Sequence, residues 1–182
     1  MMLSNEDFRD LYDAHYPLVL NFVRGAVNRE QDAEEIVQDV FVRIARNYGN
    51  FRGKSRLQTW ILAVARNAIV DFWRKNRTRE AYTDGMPLED RLAEVGSYEG
   101  DPLGTAIQHG EALAVRACIT QLPENLRLVL LCRIYRGLSA VETAAVLGWT
   151  QPRVRVTYSR ALRKFRDAWQ TSGWVVEAST SG

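Results

Sequence analysis

Apolar side chains recur at helical spacing through most of this chain. The clearest run is 32–48, where Ala33, Ile36, Val37, Val40, Phe41, Ile44 and Ala45 keep an unbroken i, i+3, i+4 stripe. The opposite side carries Glu34, Glu35, Gln38, Asp39, Val42 and Arg46. Before it, Ser4 with Asp7 reads as a helix start, with Phe8, Leu11, Tyr12, His15 and Tyr16 on one face. Pro17 then falls early in a second stretch whose apolar positions are Leu18, Val19, Phe22 and Val23. A further helix is expected over 57–74, rich in Trp60, Ile61, Val64, Ile69, Phe72 and Trp73. No strand-like alternation competes anywhere, so the expected class is all-α.

The pattern breaks once. Gly85, Pro87, Gly96, Ser97, Gly100 and Pro102 lie among scattered acids without a periodic apolar face, which reads as a flexible linker. The expected organisation is therefore a helical domain over 1–80, a linker over 81–103, a second helical domain over 104–170, and a frayed tail over 171–182.

Charge sharpens this division. Residues 51–79 hold eight basic side chains against Asp71 alone, and 151–166 hold six with no acid. Between them, 80–101 carries seven acids and one base, Arg91. Two basic blocks flanking an acidic connector suggest two surfaces that meet a polyanion. Solvated helix faces are the alternative for either block taken alone.

Several classes drop out. No apolar run approaches the roughly 20 residues that span a bilayer, so membrane insertion is not expected. Residues 1–10 are acidic and lack the basic and apolar regions of a signal peptide, so the expected location is cytoplasmic. Cys118 and Cys132 have no CxxC spacing, and His15 and His109 lie far apart, so neither a metal site nor a cofactor is expected. The cysteines read as buried, reduced thiols that pack as small hydrophobes. No nucleophile–base pair or phosphate-binding glycine loop supports an enzyme.

The sharpest local motif is LSAVETAAVLGWTQPRVRVTYSRALRKFR at 138–166. Ser139 and Glu142 fit a capping box, Gly148 suits a left-handed helix end, and Thr150 stands where it could cap the next helix. Pro152 is tolerated in a first turn, where backbone donors lack intrahelical partners. Two short helices so joined make a helix-turn-helix, whose second helix can enter a DNA major groove. That helix offers Arg153, Arg155, Thr157, Ser159, Arg160 and Arg163, with Val154, Tyr158, Ala161, Leu162 and Phe165 as its apolar face. Arginine can present paired N–H groups to guanine or to phosphate.

Residues 113–166, including ITQLPENLRLVLLCRIYRGLSAVETAAVLG, resemble the fourth region of the extracytoplasmic-function sigma factors of bacterial RNA polymerase. DAEEIVQDVFVRIA at 32–45 and FRGKSRLQTWILAVARNAIVDFWRK at 51–75 resemble their second region. Both appear in family order and cover most of the chain. The resemblance implies a transcription initiation factor, with −10 recognition and melting by the N-terminal domain and −35 recognition by the C-terminal one.

Residue roles follow from the same resemblance. Asp32, Glu35, Gln38 and Asp39 fall where the family meets the clamp helices of the largest polymerase subunit; the flap of the second-largest subunit is a further expected contact. Asn67, Ala68 and Ile69 fall on the loop that receives a flipped −10 base, and Arg74, Lys75 and Arg77 follow as phosphate contacts. An interior helix Asn is the plainer alternative at position 67. Trp60 is a promoter-melting candidate through stacking, with core packing as its alternative. Arg153, Arg155, Val156, Ser159 and Arg160 are the expected −35 contacts. Promoter DNA, core polymerase and an anti-sigma protein are the implied partners.

The sequence also departs from the family. Arg153 stands where Thr is common, Val156 where Ser is frequent, and Thr143 where an Ile usually packs. The competing function is a helix-turn-helix regulator that binds DNA without joining polymerase. It accounts for 138–166 but leaves the acidic and amide face of 32–46 without a task.

Overall fold

The structure, a computed structural model, describes residues 4–82 and 109–172, with side chains left aside at 79–82, 109–113 and 135. Among the described residues it holds seven α-helices and no strand. They are α1 (Asn5–Ala26), α2 (Glu30–Asn47), α3 (Leu57–Tyr82), α4 (His109–Thr120), α5 (Glu124–Leu130), α6 (Ala140–Leu147) and α7 (Gln151–Thr171). Most of the expected linker, and the tail beyond 172, lie outside the described residues; positions 81 and 82 belong to α3.

Helix α1 starts as its sequence suggests, with the Ser4 hydroxyl accepting the Asp7 N–H at 3.1 Å. It does not break at Pro17, where two stretches were expected. Proline removes one i→i−4 donor, and Asp13, the residue whose carbonyl loses its partner, is exposed to water. The turn into α2 is pinned by Arg24, whose Nε donates to Glu30 Oε1 at 3.1 Å.

The α2 stripe goes inward except at its last position, Ala45, which is exposed. Ala33, Ile36, Val37, Val40, Phe41 and Ile44 are all buried, and they meet Val19, Phe22 and Val23 of α1 in the core. Phe22 is fully buried, and its truncation to Ala would cost about 3–5 kcal/mol. Helix α3 buries a wider surface: Ile61, Leu62, Ala65, Ala68, Ile69 and Trp73. One side of α3 packs on α1 and α2, the other on α6.

The second helical unit folds α4 to α7 around Leu128, Val129, Leu130, Leu147, Val154 and Ala161. Helix α5 passes into a π-helical turn at Leu131–Tyr135. Cys118 and Cys132 are unpaired and buried here, as expected of structural thiols. Burial pushes the Cys132 thiol up to about 12, although Arg66 acts in the opposite sense.

The two units share one continuous apolar core. Gly25 of α1 lies so close to the Leu131 side chain that a Cβ there would sit 2.4 Å from Leu131 Cδ2. Arg127 spans the seam. Its Nη1 donates to the Ala26 carbonyl at 2.6 Å, its Nη2 bonds the carbonyls of Thr120 and Leu122, and its guanidinium lies over the Trp73 ring. Burial brings the Arg127 pKa down to about 10, partly offset by Glu124. Arg66 bonds the Leu147 carbonyl at the end of α6, and Arg77 of α3 pairs with Glu124 of α5 at 3.1 Å.

Candidate nucleic-acid interface

The helix-turn-helix is built from local rules that close on one another. Ser139 Oγ accepts the Glu142 N–H at 3.2 Å, and Glu142 Oε2 accepts the Ser139 N–H at 2.9 Å, completing the capping box. The Ser139 backbone N–H first, then the Ser139 hydroxyl and nearby Arg56, hold the Glu142 carboxyl below its ordinary value. Gly148 ends α6 at φ 65°, a left-handed conformation that costs glycine nothing. Thr150 occupies the N-cap of α7, but its side chain makes no cap hydrogen bond. Pro152 removes the N–H two residues on, and the N–H of Arg153, three residues on, is not taken up by the Thr150 hydroxyl either.

Helix α7 buries Val154 and Ala161 and half-buries Tyr158, Leu162 and Phe165, the expected apolar face. Arg133 stacks over the Tyr158 ring at 5.1 Å, tying α7 to the π-turn. Arg153, Arg155, Val156, Ser159 and Arg160 are all exposed, so every expected −35 residue reaches solvent from one helix. Val156 is 53% exposed, unusual for a large apolar residue within a packed helix.

A feature that the sequence pattern did not reveal sits at the start of this helix. The Arg153 guanidinium lies over the Trp149 ring, 4.2 Å from its centroid. Beside it runs a groove of about 330 Å³ lined by Asn125 and Leu126 of α5, Trp149, and Arg153, Val156, Thr157 and Arg160. The signal was an aromatic residue four positions before an Arg, across the turn.

The N-terminal unit distributes its expected contacts unevenly. Asn67, Ala68 and Ile69 lie inside α3, and the expected loop is absent there. Ala68 and Ile69 face the core, at 3% and 0% exposure, because the α3 stripe runs through them. Only Asn67 points outward, with its Oδ1 accepting from Arg66 Nη1 at 2.7 Å. The irregular segment lies instead at 51–56, before α3. Arg74, Lys75 and Arg77 are exposed on the following turns; Arg74 pairs with Asp71 at 2.6 Å, and Arg77 with Glu124. Trp60 is half-buried in an aromatic cluster, its ring centroid 5.3 Å from Phe51 and 6.2 Å from Tyr48.

The outer side of α2 carries Asp32, Glu35, Gln38 and Asp39 away from the core. Glu35 and Gln38 are exposed; Asp32 and Asp39 are intermediate. Arg43 bridges Asp39 at 2.7 Å to Asp71 of α3 at 2.8 Å, so the Asp39 carboxylate is already oriented. Val42, 45% exposed, adds an apolar point to this face.

Comparison with known proteins bears on both units. Residues 11–79 match the family model for sigma-70 region 2, and residues 112–165 match that for sigma-70 region 4. The chain is 29% identical to the ECF RNA polymerase sigma factor SigX of Bacillus subtilis over 161 residues, covering 88% of this chain and 82% of that one. It is 32% identical to the RNA polymerase sigma-H factor of Pseudomonas aeruginosa over 152 residues, covering 79% and 74% respectively. The fold resembles that of the sigma factor RpoE from Bartonella quintana, solved with the anti-sigma factor NepR, with a TM-score of 0.74 at 19% identity. That likeness covers 91% of this chain and 98% of the other.

Proposed function

The chain belongs to the extracytoplasmic-function sigma factors, which direct RNA polymerase to particular promoters, and on that premise we propose how its surfaces divide the task. The observation that carries the reading is a region 2 unit with an outward acidic and amide face, followed by a helix-turn-helix with an exposed basic second helix. A DNA-binding regulator that never joins polymerase would leave the region 2 match without a purpose.

In this reading Asp32, Glu35, Gln38 and Asp39 dock on the basic clamp helices of the largest subunit, with Val42 adding apolar contact at the centre. Charge complementarity there sets orientation and encounter rate more than raw affinity. The C-terminal unit meets the flap of the second-largest subunit. Arg155 and Ser159 read base edges of the −35 element, while Arg153 and Arg160 hold its backbone. Asn67 takes an unpaired −10 base through its amide. Arg74 and Arg77 exchange their half-buried carboxylate partners for phosphates, and Lys75 joins them. Trp60, with Phe51, presents a stacking edge to separated strands.

Catalysis stays with the polymerase. Work alongside that enzyme places the chain in the cytoplasm, and no helix among the described residues is long and apolar enough to cross a membrane. An anti-sigma protein holds the free chain inactive, as the complex of the Bartonella relative suggests by analogy.

Run-off transcription with core polymerase and a library of randomised promoters tests the whole reading. Transcripts that require the chain and share two sequence elements are expected. Asn67→Ala should leave polymerase binding nearly intact while reducing permanganate reactivity of unpaired thymines near the start site. Normal strand opening by that variant would remove Asn67 from base capture.

A further inference from the structure

Helix α7 carries two tracks of outward side chains with different surroundings. Arg153, Val156, Thr157 and Arg160 follow i, i+3, i+4, i+7 spacing, share one face, and line the groove against the first turn of α5. Arg155 and Ser159 lie on the neighbouring face, four residues apart and exposed, outside the groove.

The groove has the chemistry of an anion site. Its seven lining residues include two arginines, an amide and a hydroxyl, and no carboxylate. At about 330 Å³ it has room for a phosphate group, and its charge rather than its size selects one. An exposed Arg is ordinarily free to sample many rotamers, and Trp149 changes that. Stacking uses the flat face of the guanidinium and leaves the N–H rim free to donate in its own plane. The indole is itself half-buried against the apolar core, so the platform is anchored.

We propose that Trp149 is a positioning residue: it holds Arg153 ready over the groove between α5 and α7, where Arg153 and Arg160 together clasp one DNA backbone phosphate beside the −35 element. The proposal rests on α7 being the −35 helix. It assigns base reading to the Arg155 and Ser159 track and register to the groove track.

The test uses the full chain assembled with core polymerase and a duplex selected from a library randomised across the −35 element. Arg153→Ala should weaken binding several-fold on every duplex alike and lower the salt slope by about 0.9, the value for one phosphate. Trp149→Leu should produce part of that loss, Trp149→Phe little of it, and Trp149→Leu in an Arg153→Ala background none beyond Arg153→Ala alone. A methylphosphonate at the clasped position should weaken the wild type more than it weakens Arg153→Ala, which keeps only Arg160 on that phosphate, and equal weakening would overturn the clasp; this arm stands even if Trp149→Leu does not fold. Equal losses for Trp149→Leu in both backgrounds would overturn the positioning role. A changed preference at one base pair with an unaltered slope in Arg153→Ala would overturn the phosphate clasp. If Arg155→Ala alters selectivity while Arg153→Ala is silent, only this inference falls; if both are silent, the −35 reading of α7 falls with it.

Discussion

Thr143 shows how a single residue departs from what its surroundings ask for. It is fully buried in α6, and its Oγ1 has no hydrogen-bond partner. A buried hydroxyl without a partner keeps its desolvation cost and gains nothing in return. Thr143→Val removes the hydroxyl at nearly constant shape, so it should raise unfolding free energy by about 1 kcal/mol. A urea melt would show this as a higher midpoint, and an unchanged or lower one would mean the hydroxyl has a partner in solution. Cys132 makes the complementary case, because its burial becomes visible only through pH. The folded thiol titrates near 12, whereas an unfolded cysteine titrates about three units lower. Above pH 9 the unfolded chain has released its proton while the folded chain keeps it, so folding is fully favoured below about 9 and progressively less so toward 12. One thiol contributes at most about 1.4 kcal/mol per pH unit across that window. Wild type should therefore lose more stability between pH 8 and pH 10 than Cys132→Ala does. Parallel losses would place the pH dependence in other groups.

At the scale of elements, legibility followed how local the cause was. The α2 stripe, the Ser139–Glu142 box and Gly148 each depend on residues within a turn or two, and each was readable before any coordinates. Helix α3 was less so. Its pattern predicts a helix over 57–74, but the family resemblance put Asn67 to Ile69 on a loop, and burial of Ala68 and Ile69 shows the unbroken helix interior that was the alternative. At Pro17 a local breaker was outvoted by apolar contacts on both sides of it. Arg127 was illegible for the opposite reason, since its partners Ala26 and Trp73 lie in another part of the chain. The outward side of α2 carries its own prediction. Six inward residues are consumed by the core, so replacing Gln38 and Asp39 with Ala should leave helicity near wild type. Helicity by far-UV circular dichroism and retention on immobilised core polymerase would be measured together. Retention should fall several-fold, and Val42→Lys should lower it further by putting a positive charge on a face proposed to meet basic helices. Undiminished retention of the double variant would take these residues out of the contact.

Taken as one molecule, the chain shows a geometric conflict that promoter binding has to resolve. Arg66 adjoins Asn67 and bonds Leu147, four residues before α7 begins, so the proposed −10 and −35 residues start close together. With about 1.5 Å of rise per residue along α7, they stay within roughly 30 Å of each other. Elements centred near −10 and −35 are about 25 base pairs apart, or roughly 85 Å of duplex at about 3.4 Å per step. Both units cannot engage one straight promoter while they share this core. Between Tyr82 and His109 lie 26 residues, with a contour of about 90 Å, enough to permit separation. Separation exposes the seam around Leu131 and Trp73 and removes the contacts of Arg127 to Ala26, so polymerase must bind the separated form more tightly by at least that cost. Energy transfer between dyes on Glu34→Cys in α2 and Lys164→Cys in α7 would report the change. Both positions are exposed, and the native thiols are buried with raised pKa values, so labelling should be selective. Transfer should be efficient in the free chain and fall to near zero in holoenzyme on promoter DNA. Arg66→Ala should lower it partway in the free chain, because it cuts one tie across the seam, the bond to the Leu147 carbonyl. Efficient transfer that persists on the promoter would mean that the shared core stays intact and that only one element is engaged at a time.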